Sequence, residues 1–144
     1  MLGPILFLCY INDIFNASSL ATFLFTDDTT CLAENPNLND LINYVNIELN
    51  KLALWFKANK MVVNVSKTNY IIFHNRGKRT DLNGRDVVFN SNDIDAAQDP
   101  MLIQRIERIH NKHEDPKLQS FKLLGVYLDE SLTLNKHVDH ISAK

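Results

Sequence analysis

The chain lacks most of the features that would mark a class at sight. Its 144 residues include two cysteines, Cys9 and Cys31, both in apolar surroundings. That is too few for a disulfide framework or a zinc site, so both read as buried thiols of a reducing compartment. Charge of one sign is also missing. The formal net charge is −2, whereas a self-sufficient nucleic-acid binder is more often basic. There is no internal repeat, no low-complexity tract and no convincing basic targeting run. The apolar stretch Leu2 to Ile11 has no positive leader and is broken at Asn12-Asp13 without a cleavage site, unlike a signal peptide. It is also too short to span a bilayer. A core that begins this close to Met1 suggests a truncated chain. What remains is ordinary. A hydrophobic fraction of 45% and a charged fraction of 22% suit one soluble globular domain, or part of one.

The most informative stretch is Phe23-Leu24-Phe25-Thr26-Asp27-Asp28-Thr29-Thr30-Cys31-Leu32. Two adjacent acids sit inside an apolar, β-branched segment. Acids are poor strand residues, and burying two like charges is costly. A hairpin over 21–33 with the acids at its turn resolves both problems. Two carboxylates aimed at one spot suit a hard divalent cation such as Mg²⁺. An exposed turn without a metal role is the plainer account of the same residues, because Asp is a common turn former.

Around it, residues 4–14 read as a buried helix, with Pro4 tolerated in the first turn. Asn35-Pro36-Asn37 is a turn that can cap a helix. Leu38, Leu41, Ile42, Val45, Leu49, Leu52, Trp55 and Phe56 recur at helical spacing, which predicts about six turns of amphipathic helix fading at Ala58-Asn59-Lys60. Val62 to Val65 and Tyr70 to Phe73 are β-rich runs. Residues 74–85 read as loop, Val87 to Phe89 as a short strand, and Met101 to Ile109 as a short helix. Phe121 to Leu128 is a strand interrupted by Gly125, and Leu132 to Lys144 opens another helix.

In order, these residues resemble a known enzyme family. Leu2-Gly3-Pro4 through Tyr10-Ile11-Asn12-Asp13 resembles the segment after motif B in reverse transcriptases of non-long-terminal-repeat retrotransposons. Phe25-Thr26-Asp27-Asp28 looks like their motif C, with Thr26 in place of the usual alanine. Leu49-Asn50, Trp55-Phe56, Asn59-Lys60-Met61, Asn64 and Lys67-Thr68 are similar to the approach to motif D. Phe121 to Val126 is similar to motif E, the primer-grip hairpin. Asp129-Glu130-Ser131-Leu132 and His137 fit the segment that follows in the jockey-like branch. The match spans nearly the whole chain except 78–120, which reads as a variable insertion.

The resemblance implies an α/β (α+β) fold: an antiparallel palm sheet with helices packed on one face, part of a right-hand polymerase. Residues 1–144 would form a partial palm, truncated at both ends. It implies RNA-directed DNA polymerase activity, with attack of a primer 3′-hydroxyl on the α-phosphorus of a deoxynucleoside triphosphate in a two-Mg²⁺ site. Asp27 is then the metal ligand of motif C and Asp28 the supporting acid. Lys67 supplies charge or a proton on the pyrophosphate side. Leu2, Gly3 and Pro4 border the nucleotide pocket, and Leu124 and Gly125 form the primer-grip turn. The implied partners are an RNA template, a DNA primer and deoxynucleoside triphosphates, without a membrane, in a nuclear or cytoplasmic ribonucleoprotein. The motif A aspartate, which shares the metals in the family, would lie before Met1. The chain is therefore expected to be inactive alone. Two other readings stand beside this one: a non-catalytic nucleic-acid-binding or interaction module derived from a palm, and a decayed retroelement product.

Weaker candidates have plainer accounts. His110 and His113, with Glu107 and Glu114, have metal-like spacing but nothing completing a site. Arg76, Lys78 and Arg79 suit a solvated loop. Asn16-Ala17-Ser18 and Asn64-Val65-Ser66 match glycosylation acceptors without a secretory signal. Trp55 and Phe56 read as helix-core aromatics.

Overall fold

The computed structural model describes residues 3–75, 82, 84–90, 103–110, 113–115 and 119–143. It is a mixed α/β structure of three helices and several two-stranded sheets, and the chain divides into two units. The first comprises Met1–Asn64 and Gly84–Arg105, the second Val65–Asn83 and Ile106–Lys144.

The first unit is organised by its long helix. Helix α1 covers Gly3–Ile11 and runs into a 3₁₀ turn at Asn12–Asn16. Strands β1 (Ala21–Phe25) and β2 (Asp28–Leu32) form the expected hairpin, followed by α2 at Leu38–Ala58. The α2 start is set by Asn37, whose side chain accepts from the amides of Asn39 (2.9 Å) and Asp40 (3.4 Å). Such a cap satisfies donors that the first turn cannot pair internally. Asp40 in the first turn and Lys57 in the last complement the helix dipole.

The helix does not fade at its end; it is stopped. The Lys60 amide bonds Lys57 O at 2.9 Å and the Met61 amide bonds Phe56 O at 2.9 Å, while Lys60 has φ 54°. That is a Schellman ending with a non-glycine residue in the left-handed position. The apolar stripe of α2 packs onto Ile11, Ile14 and Leu20, with Leu52 at the centre and Phe7, Leu24, Cys31 and Trp55 around it. Ile14 is fully buried.

Three expectations need correction. Helix α1 is not a buried helix. Ile5, Leu6, Leu8 and Tyr10 are all exposed, because a helix apolar on every side has only its Phe7–Ile11 flank against the core. Cys9 accordingly is exposed, while Cys31 is half-buried. The predicted helix over 101–109 is absent from its described part. Ile103–Arg105 is strand β5, antiparallel to β4 (Val88–Asn90), and Glu107–Ile109 is strand β6. β-branched isoleucines every third residue suit short strands as well as a helix, and pairing partners decide between them. Asn46 of α2 anchors β4 by donating to Asp86 O (3.0 Å) and accepting from the Val88 amide (3.0 Å).

In the second unit, Val65–Lys67 is a single 3₁₀ turn, not the end of a strand. Val62, ahead of it, is 96% exposed. A β-rich run becomes a strand only where another strand pairs with it. Strand β3 (Asn69–Ile71) pairs in parallel with β6, Tyr70 opposite Arg108, and Ile72, Ile106 and Ile109 are buried. Strands β7 (Phe121–Leu123) and β8 (Val126–Leu128) form a second hairpin, with the Tyr127 ring 5.1 Å from that of His140 on α3 (Asn135–Ser142). The expected single antiparallel palm sheet is not seen. Among the described residues the strands form four separate pairs, one of them parallel. Three-residue strands such as β3 to β8 offer too few ladder bonds to join into a wide sheet.

Candidate functional site

The β1–β2 hairpin presents the acids as the sequence suggests. Phe25 pairs with Asp28, which leaves Thr26 and Asp27 as a two-residue loop. Thr26 has φ 55° and is the one residue of the two with positive φ. That pattern is that of a type II′ turn, whose twist matches the flanking strands. A β-branched residue there is strained. The Thr26 hydroxyl lies 2.7 Å from Phe25 O and 2.9 Å from Asp27 Oδ1, so its single proton bridges the turn and the carboxylate. Asp27 and Asp28 are both exposed at this end of the hairpin.

Alternation along β1 anchors the site. Thr22 and Leu24 face inward and are half-buried, while Phe23 and Phe25 are more than half exposed. Leu24 and Cys31 tie the inner face to the core, and Cys31 Sγ is 3.8 Å from Thr22 Oγ1. Burial pushes the Cys31 thiol up, and the Thr22 contact opposes this only in part. A raised thiol holds less of the reactive thiolate form.

The entry to the hairpin is held by a residue that sequence reasoning missed. Glu48 lies on the α2 stripe and is only 3% exposed. Its Oε2 accepts from the Ser19 amide (2.6 Å) and the Ser18 hydroxyl (3.1 Å), and its Oε1 from Lys51 Nζ (2.6 Å). Tyr44 OH donates to Ser19 O at 3.2 Å, so α2 grips the Ser19 residue from both sides. The Lys51 contact first, then the Ser19 bond, hold the Glu48 carboxyl below its ordinary range despite burial. The signal was present in the sequence: an acid three residues after Val45 and four before Leu52, on the apolar stripe.

Other predicted residues fall as follows. Lys67 ends the 3₁₀ turn and is exposed, its carbonyl accepting from Asn69 Nδ2 at 3.4 Å. Leu124 (φ 48°) and Gly125 (φ 91°) form the two-residue loop of the β7–β8 hairpin. Two positive φ values make it a type I′ turn. Gly3 opens α1 and Pro4 lies in its first turn, while Leu2 lies outside the described residues. Asp27 and Asp28 thus share one turn in the first unit, and Lys67, Leu124 and Gly125 belong to the second. The basic residues Arg76, Lys78 and Arg79 lie outside the described residues.

His113 is satisfied as a structural group. Its Nδ1 accepts from the Asp115 amide (3.0 Å), which leaves Nε2–H to donate to Glu107 (3.1 Å). The His110 ring stands 5.2 Å away. Burial, then the charge of Arg108, push His110 down against the opposing pull of Glu130 and Glu107. A second cluster escaped the sequence. Glu130 Oε2 is 3.7 Å from His74 Nε2 and 3.7 Å from Arg108 Nη2, all three largely shielded. Among the described residues no group of three or more His, Cys, Asp or Glu could hold a metal ion. No described helix is long and apolar enough to cross a membrane.

Comparison with protein families, curated proteins and solved structures finds no match.

Proposed function

We propose that this chain is part of an RNA-directed DNA polymerase of retrotransposon type, carrying the motif C half of a two-metal nucleotidyl-transfer site. The observation that carries the reading is the β1–β2 hairpin, with Asp27 in its loop and Asp28 opening β2. The order of the flanking motifs supports it, as does the second hairpin turning on Leu124-Gly125. In this reading the described elements are pieces of a palm, with an RNA template, a DNA primer and deoxynucleoside triphosphates as partners.

The donor chemistry fits Mg²⁺, which is commonly held by one or two carboxylates with substrate phosphates and water completing its shell. Asp27 and Asp28 would hold it, and when bound it supplies charge stabilisation to the reacting phosphate oxygens. The protein's own contributions are local. The strained Thr26 turn fixes where the Asp27 carboxylate points, and the Leu24–Cys31 face seats the hairpin on the core. Lys67 offers a flexible point charge that suits the pyrophosphate side. With one carboxylate pair in place, the chain alone is expected not to extend a primer.

Two measurements test this on the whole chain. Mn²⁺, standing in for Mg²⁺, should broaden the amide signals of Thr26 to Thr29 first, and Asp27→Asn should abolish that selectivity. Primer extension by the chain alone should stay at background. Broadening that ignores Asp27→Asn overturns the metal role, and template-directed incorporation overturns the expected inactivity.

A further inference from the structure

The second unit carries a depression of about 380 Å³ lined by Phe73, His74, Asn75, Ser131 and Leu132. Its size lies in the ~300–1,000 Å³ range of small-molecule sites. Its two rims are joined directly, because the His74 amide donates to Glu130 O at 3.3 Å. The His74 ring is fixed by Nδ1, which lies 3.0 Å from Asn75 O and must carry the proton, since a carbonyl only accepts.

The far rim is a loop held in a costly conformation. Leu132 and Leu134 have φ 52° and 57°, in the left-handed region, which costs a non-glycine residue ~1–2 kcal/mol. The loop is kept there by Asp129, 7% exposed, which accepts from the Ser131 amide (2.9 Å), the Thr133 amide (3.2 Å) and the Thr133 hydroxyl (2.6 Å). The result is that Leu132 stands 53% exposed on one side of the depression and Phe73 41% exposed on the other. Backbone strain of this kind persists where surrounding structure fixes it, and it gathers at binding and other functional sites.

We propose that this depression is a binding site for a single unpaired nucleobase. The lining includes an exposed aromatic ring at Phe73, an apolar side chain at Leu132 and, at Asn75, a side-chain amide with donors and an acceptor side by side. That combination is complementary to a planar ring whose edge alternates donors and acceptors, which is how unstacked bases are read on proteins. An aliphatic side chain has no such edge, and a bare phosphate would leave the Phe73 side chain unused. The site is in the second unit and needs neither Asp27 nor a metal, so it stands or falls apart from the polymerase reading.

The test is saturation-transfer difference NMR on the full chain with adenosine monophosphate in metal-free buffer. Transfer should be strongest at the base protons, and binding should be unchanged by Asp27→Asn. Phe73→Leu keeps apolar bulk at an exposed position but removes the π face. It should weaken binding ~10-fold, the effect of one lost base–aromatic stack. Asn75→Ala should weaken it less. Three results would overturn the proposal: no transfer, full competition by ribose phosphate, or binding indifferent to Phe73→Leu.

Discussion

Removing the Glu48 carboxylate should loosen the entry to the acidic hairpin by an amount the structure allows to be estimated. Glu48→Ala deletes three acceptor contacts, two of them from Ser18 and Ser19. A hydrogen bond to a charged group is worth about 1.5–3 kcal/mol, and a buried donor left without a partner costs about 1–3 kcal/mol. The Lys51 contact adds little, because that ammonium is 49% exposed and exposed pairs contribute ~0–1 kcal/mol. These terms overlap, so a loss of roughly 3 kcal/mol is expected, a large share of the ~5–15 kcal/mol by which domains are stable. Glu48→Gln keeps one acceptor and should cost less than half as much. Trp55 is the sole tryptophan and lies in the same unit beside this core. Its fluorescence in urea therefore reports the right region. The sign of the pH dependence follows from the lowered carboxyl. The contribution is complete above the unfolded-state value near ~4.3 and is lost as pH falls through the lower folded-state value. The gap between wild type and Glu48→Gln should then narrow in acid. Equal urea midpoints at neutral pH, or a gap that stays constant into acid, would refute the reasoning.

Three further outcomes follow from the backbone and the buried acids. Lys60→Gly should stabilise the first unit by about 1 kcal/mol in the same urea assay, since glycine occupies the left-handed cap without steric cost. Leu124→Asn should raise the thermal midpoint of the second unit, with a gain of ~0.5–1 kcal/mol, because Asn-Gly is the preferred type I′ pair. Asp129→Ala should destabilise the second unit by about 2–3 kcal/mol, read as faster amide exchange at Ser131 and Thr133. Desolvation raises the Asp129 carboxyl, but bonds from Thr133 and Ser131 outweigh it and leave it lowered. That protection should therefore be present above ~3.9 and decline as pH falls through the folded-state value.

What could be read from the sequence divides along physical lines. Helix α2 was legible because its stripe, its Asn37 cap and its polar face all point the same way. The β1–β2 hairpin was legible because two acids in a strand-forming run leave only one comfortable place for a turn. Strands β5 and β6 were not, because Ile103, Ile106 and Ile109 fit a helix until β4 and β3 are there to pair with them. Residues 62–65 failed in the opposite direction, with strand propensity and nothing to pair with. The Glu130 cluster was invisible for a different reason. His74, Arg108 and Glu130 are far apart in sequence, and no local pattern brings them to one carboxylate.

The two hairpins share a feature that bears on how the chain is used. Each places a bulky residue, Thr26 or Leu124, at a loop position with positive φ that glycine or asparagine would fill at lower cost. Neither side chain compensates by packing: Thr26 is exposed and Leu124 is 63% exposed. Stability alone therefore does not account for either choice. Strain of this kind persists where the surrounding structure fixes it, and it gathers at sites that must present a group in one orientation. At Thr26 the consequence is concrete. The hydroxyl reaches the Asp27 carboxylate at 2.9 Å, a bond that glycine or alanine could not make. The turn thus exchanges backbone comfort for a fixed carboxylate.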